Sequence, residues 1–167
     1  MAYDNKGPVV ANTAYCDGTK IGRDVSFTLP EIVFQKAEIS AMGKMSVPLL
    51  GLIENMELSI KKTGLDENFA KVNMLSKHRF EFRWVQSAMT GDGTMRMEGC
   101  KAFVNTLPSS VAGFSIEPGS ATEAEYKFTV TRIQIFVNGK ESILVDRLNN
   151  ILKVAGINYS KNINNLL

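Results

Sequence analysis

Cysteine and histidine are the side chains best suited to metal and nucleophile chemistry, and this chain has only Cys16, Cys100 and His78. A structural zinc site draws on about four such ligands, so Cys and His alone are too few. The two cysteines are distant in sequence, and no CxxC pair exists for redox work or metal binding. A Ser–His–Asp triad would have to use His78. That residue lies between Lys77 and Arg79, whose charge disfavours the imidazolium that a general base must become. Asp66 and Glu67 are adjacent carboxylates, but acids at the start of a helix are explained by capping and the helix dipole. Gly91-Asp92-Gly93 resembles part of a phosphate loop without its following Gly-Lys-Ser/Thr, and reads better as a hairpin turn. Met42, Met45, Met56, Met74, Met89, Met95 and Met97 could offer thioethers to a metal, but flexible packing accounts for them more simply. No catalytic, cofactor-binding or metal-ligating set emerges, so the chain is not expected to be an enzyme.

The scaffold around these residues is of ordinary composition. At 167 residues, 44% apolar and 22% charged, the chain suits one folded domain over 1–167. Lys and Arg balance Asp and Glu 5 to 5 over 1–50, 7 to 7 over 51–100 and 7 to 5 over 101–167, which gives +2 overall. Nothing here has the clustered basic excess of a domain that grips nucleic acid. The opening Met-Ala-Tyr-Asp-Asn-Lys-Gly-Pro lacks the apolar core of a secretory signal, and the dense apolar run Val47–Ile53 is too short to span a bilayer. Reduced thiols, a cytoplasmic site of synthesis and no stable membrane association are expected.

Apolar–polar alternation, the mark of half-buried strands, dominates the pattern. Phe80, Phe82 and Trp84 share one face of Arg79–Gln86, with Arg79, Glu81 and Arg83 on the other. After a turn at Thr90–Gly93, the run Thr94–Leu107 places Met95 and Met97 on odd positions but Cys100, Ala102 and Val104 on even ones. That phase slip predicts a bulge at Gly99. In Glu125–Asn138 the apolar face changes near Arg132, from Tyr126, Phe128 and Val130 to Ile133, Ile135 and Val137. Asn138-Gly139 predicts a tight hairpin into Lys140–Asp146. Asp24–Leu29 and Met56–Lys62 read as further strands. One helix is expected over Glu67–Leu75, capped by Asp66, with Phe69, Val72 and Leu75 inward. Arg147–Ala155 fits helix or strand, and the segments 1–14 and 159–167 read as less ordered. These elements imply a mainly β fold, an antiparallel two-sheet sandwich or barrel with one short α-helix. A monomeric β-barrel that binds a small ligand is one function such a fold allows.

Ala41–Leu52 is different: apolar, interrupted by two glycines and a proline, and without a clean period. It reads as a core loop or as a patch that docks on another subunit. In sequence order, several features resemble the major tail tube protein of contractile-tailed phages and R-type bacteriocins. They are Asp17-Gly18, Gly22, Ser26-Phe27-Thr28-Leu29-Pro30, Met42-Gly43-Lys44-Met45, Val47-Pro48 and Gly51-Leu52-Ile53-Glu54. Gly64-Leu65-Asp66 follows, then Ile135-Phe136-Val137-Asn138-Gly139-Lys140-Glu141, Val145-Asp146, Asn149 and Val154-Ala155-Gly156.

The resemblance implies a structural protein that works by self-assembly. Its expected form is a hexameric ring stacked into a tube inside a contractile sheath, located in a virion tail or phage-tail-like particle. Implied partners are further copies of the chain, the sheath protein, and baseplate and tail-terminator proteins, with DNA only in transit in a phage. The region corresponding to Ser40–Leu50 is expected at subunit contacts, which gives Met42, Lys44, Met45, Val47, Leu49 and Leu50 an interface role.

Overall fold

The computed structural model describes residues 4–167. Alternation becomes twelve strands among them: β1 (Asn5–Cys16), β2 (Thr19–Arg23), β3 (Ser26–Thr28), β4 (Phe34–Ser40), β5 (Lys44–Ile53), β6 (Glu57–Thr63), β7 (His78–Met89), β8 (Met95–Pro108), β9 (Glu123–Val137), β10 (Lys140–Asp146), β11 (Ile151–Val154) and β12 (Ile157–Asn158). Two helices join them, α1 (Asn68–Val72) and α2 (Lys161–Leu166). All ladders are antiparallel, and they form two unequal sheets. Ten strands run in the order β12-β11-β10-β9-β8-β7-β1-β2, with β6 and β3 branching from β9, while β4 and β5 pair only with each other.

The branch has a local cause. Along one edge of β9, Glu123–Thr129 pair with β6 and Arg132–Val137 pair with β10. On the β8 side the register jumps from Thr106↔Val130 to Asn105↔Arg132, so Thr131 is the extra residue of a bulge. Its hydroxyl donates to the Asn105 carbonyl at 3.2 Å. The bulge swaps the faces of β9, so the buried Tyr126, Phe128 and Val130 are followed by buried Ile133. The face change expected near Arg132 is therefore real.

The bulge expected at Gly99 is not. Val85 pairs with Gly99 and Trp84 with Cys100 in unbroken register. β8 keeps one inward face, Glu98, Cys100, Ala102, Val104 and Thr106, while Met95 and Met97 stay outward at 60% exposure each. The apparent slip arises because Glu98 occupies an inward position, where it accepts from Lys6 Nζ at 2.8 Å and Gln86 Nε2 at 3.2 Å. A polar residue satisfied inside mimics a change of phase in the sequence.

The core fills the concave side of the large sheet. Phe80 and Phe82 are fully buried, and Phe82 stacks on Phe27 at 4.3 Å. Met56, just before β6, and Leu58 and Ile60 within it close the core from the branch side. Asn138 and Gly139 have φ +51° and +78°, the two positive values of the predicted type I′ turn. α1 is shorter than expected, and its N-cap is Glu67, without a side-chain capping bond, rather than Asp66. Asp66 Oδ1 instead accepts from Asn68 N at 2.9 Å in the preceding turn, Phe69 and Val72 pack inward, and the helix stops before Leu75, which is 74% exposed. Arg147–Ala155 resolves as a turn into strand β11, not a helix. The Asn-rich end carries β12 and a second helix, α2, tied back by Asn164 Nδ2 to the Asn150 carbonyl at 3.0 Å. Within segment 1–14, residues 5–14 belong to β1, and Met1–Tyr3 lie outside the described residues.

Candidate assembly interface

Ala41–Leu52 proves to be the tip and return strand of a hairpin, β4–β5, and the hairpin has a period after all. Its ladder pairs Gln35 with Leu49, Ala37 with Val47 and Ile39 with Met45, and residues directly opposite share a face. The other face carries Lys36 opposite Pro48, Glu38 opposite Ser46 and Ser40 opposite Lys44. One side of the arm is apolar and the other largely polar. The alternation is hard to see in sequence because Leu50, Gly51 and Leu52 are extra residues, inserted where the register shifts between Phe34 and Gln35.

The base of the arm is anchored and its length is not. Phe34 and Ile53 pack on the core, Glu54 N donates to the Val33 carbonyl at 2.8 Å, and Arg147 Nη2 donates to the Ile53 carbonyl at 2.8 Å. Gly51 sits against α2, where an added Cβ would meet Ile163 Cδ1 at 2.9 Å. Beyond this base the arm pairs with no other strand among the described residues. Ile39, Met45, Leu50 and Leu52 are each about half exposed, and Met42 projects fully from a tip where its φ is +50°. An isolated two-stranded hairpin is only marginally stable in water, and this one also leaves apolar side chains uncovered.

The sequence-predicted interface residues therefore occupy one element but not one surface. Met45, Val47 and Leu49 line the apolar face, Lys44 lies on the polar face, Met42 is the tip, and Leu50 lies in the irregular base. Ile39 belongs with the first group, and its pairing with Met45 becomes visible only once the register is known. A second exposed apolar cluster lies at the far end of the large sheet. There Met95 pairs with Met89 across the β7–β8 ladder, with Met97, Val9 and Val10 also exposed.

The chemically able residues that sequence reasoning set aside do meet. Asp17, in the β1–β2 turn, lies 2.8 Å from His78 Nδ1 through Oδ2, and Cys16 Sγ is 3.6 Å from the same nitrogen. The group facing the ring is thus a carboxylate, whereas Arg79 lies over the Phe103 ring on the outward face. Burial opposes ionisation of Asp17, but hydrogen bonds from Arg79 N–H and His78 outweigh it and hold the carboxyl below its usual range. Burial, reinforced by the Asp17 charge, pushes the Cys16 thiol up to about 12. A thiol so hard to ionise is a poor nucleophile.

A ligand carrier needs an enclosed apolar cavity, but the inward side of this sheet is packed with Phe80, Phe82, Val104 and Ile133. A concavity of about 770 Å³ lined by Arg83, Val85, Lys101 and Phe103 lies instead on the outward face of β7 and β8. Among the described residues, no helix is long and apolar enough to cross a membrane.

The family model for phage tail tube protein FII matches residues 9–167. The chain belongs to that family. As a tail tube protein it is also similar in fold to solved chains of contractile particles. One comes from the sheath–tube complex of an extracellular contractile injection system, PVC, in the extended state: 18% identity, TM-score 0.52, 75% of this chain and 88% of that one. Another comes from the sheath/tube terminator of the same system, at 17% identity, TM-score 0.52, and 75% and 92% coverage. No curated protein matches the sequence. The tail tube match takes in all of β4–β5 as well as Cys16, Asp17 and His78.

Proposed function

We propose that this tail tube protein builds the inner tube of a contractile phage tail or phage-tail-like particle by stacking hexameric rings, and that the β4–β5 arm joins one subunit to the next. The observation that carries this reading is the amphipathic arm itself: Ile39, Met45, Val47 and Leu49 lie on one face, and the arm pairs with no other strand among the described residues. Covering that face with a neighbouring subunit removes apolar surface from water at about 25 cal/mol per Å² and supports a hairpin that is weak alone. Met42 at the tip and Leu50 near the base extend the contact, while Lys44 faces the rim. Head-to-tail contacts of this kind close into a ring, and stacking of rings continues without limit into a filament. The partners are further copies, an enclosing sheath, a terminator and a baseplate, with DNA passing through the bore when the particle is a phage. Subunits are made in a bacterial cytoplasm and end in the particle. The protein performs no catalysis and has no stable association with a membrane.

Two substitutions on neighbouring residues test the arm. Met45→Asp charges the apolar face and Ser46→Asp charges the opposite one, with the core untouched in both. Sedimentation should show ring and tube formation lost in the first and kept in the second. Equal assembly of both variants would remove the arm from the interface.

A further inference from the structure

We propose that Cys16, Asp17 and His78 form a binding site for a zinc-class divalent cation, at the joint between the β1–β2 turn and the start of β7. Sγ, Oδ2 and Nδ1 stand 3.6, 3.7 and 2.8 Å apart. A tetrahedral zinc with bonds of about 2.0 to 2.3 Å separates its donor atoms by roughly 3.2 to 3.7 Å. The two sulfur distances already fit, and the carboxylate–imidazole pair needs to open by only a few tenths of an ångström.

The surroundings hold each donor as a ligand requires. His78 is buried, with its ring between Phe80 and Phe128, and its Nε2 lies 2.9 Å from the Met74 carbonyl. Ligating histidines commonly donate their second N–H to such a carbonyl, which fixes the tautomer and points the other nitrogen at the metal. The ring turns its Nδ1 toward Asp17 Oδ2 at 2.8 Å and Cys16 Sγ at 3.6 Å. Asp17 Oδ1 accepts from Arg79 N at 3.0 Å, which orients the carboxylate with Oδ2 toward His78 Nδ1 and Cys16 Sγ.

The donor set selects the ion. Sulfur and imidazole suit zinc, cobalt and cadmium, whereas magnesium and calcium require oxygen. Asp17 leaves 41% of its side chain exposed, so an ion can enter from solvent and water can take the fourth position. Binding releases the Cys16 thiol proton to solvent as the S–metal bond forms. The bound ion would clamp a turn to a strand distant in sequence, independently of how subunits assemble.

The test uses the untagged, metal-free full chain titrated with cobalt(II) and then zinc. A single equivalent of cobalt should give a thiolate-to-metal charge-transfer band that zinc bleaches, and zinc but not magnesium should raise the thermal midpoint. Cys100→Ser should keep the band and Cys16→Ala should lose it. Asp17→Asn, which preserves shape and hydrogen bonding, should weaken affinity by about tenfold or more. Absence of the band in the folded native chain, or its survival in Cys16→Ala, would overturn the site and leave a purely hydrogen-bonded cluster.

Discussion

Phe82 shows how much of the fold can rest on one side chain. It is fully buried, stacked on Phe27 and within 6.1 Å of Phe80. Phe82→Ala should cost about 3–5 kcal/mol, measured by urea unfolding of unassembled subunits. Glu98 makes a different contribution. Its hydrogen bond with Lys6, helped by Gln86 and Asn138, outweighs burial and holds its carboxyl below the usual range. A depressed folded-state value stabilises above the ordinary glutamate range, near pH ~4.3, and is lost as pH falls through it. Stability should therefore drop on acidification, and Glu98→Gln should be less stable at neutral pH with a shallower acid limb. Glu98 was also the residue hardest to read from sequence. Its type contradicts its inward position, and the partners that allow the burial are remote in sequence, Lys6 by 92 residues and Gln86 by 12. The same limit applied to His78, since its partner Asp17 is remote in sequence while its neighbours Lys77 and Arg79 suggested the wrong surroundings.

At the scale of elements, local signals were read correctly where they were complete. Asn138-Gly139 specified its turn, and Gly139→Val, which forces a β-branched residue to φ +78°, should cost about 1–2 kcal/mol by the same unfolding assay. The alternation on β7 and the face change on β9 were equally legible, because a period of two survives in sequence even across the Thr131 bulge. The β4–β5 arm was not, since its extra residues at Leu50–Leu52 scramble the period and pairing to β4 is what reveals the apolar face. Arg147–Ala155 remained ambiguous because Leu148, Ile151, Leu152 and Ala155 suit either periodicity. Pairing of β11 with β10 decided the matter.

For the whole molecule, the low count of reactive residues and the near-even charge suit a wall element. A bore that passes DNA should carry no continuous basic surface, because each phosphate contact would retard transit. The lumen is therefore expected to be neutral or acidic on balance, with Lys and Arg concentrated at stacking and sheath-facing surfaces, and an electrostatic map of the assembled ring checks this. The most direct test of the account is electron microscopy of the purified native chain, resolved far enough to trace β4–β5. Stacked sixfold rings in which Met45, Val47 and Leu49 are covered by a neighbouring subunit are the predicted result. Monomers at every concentration even with sheath and baseplate present, or rings that leave the arm in solvent, would contradict it.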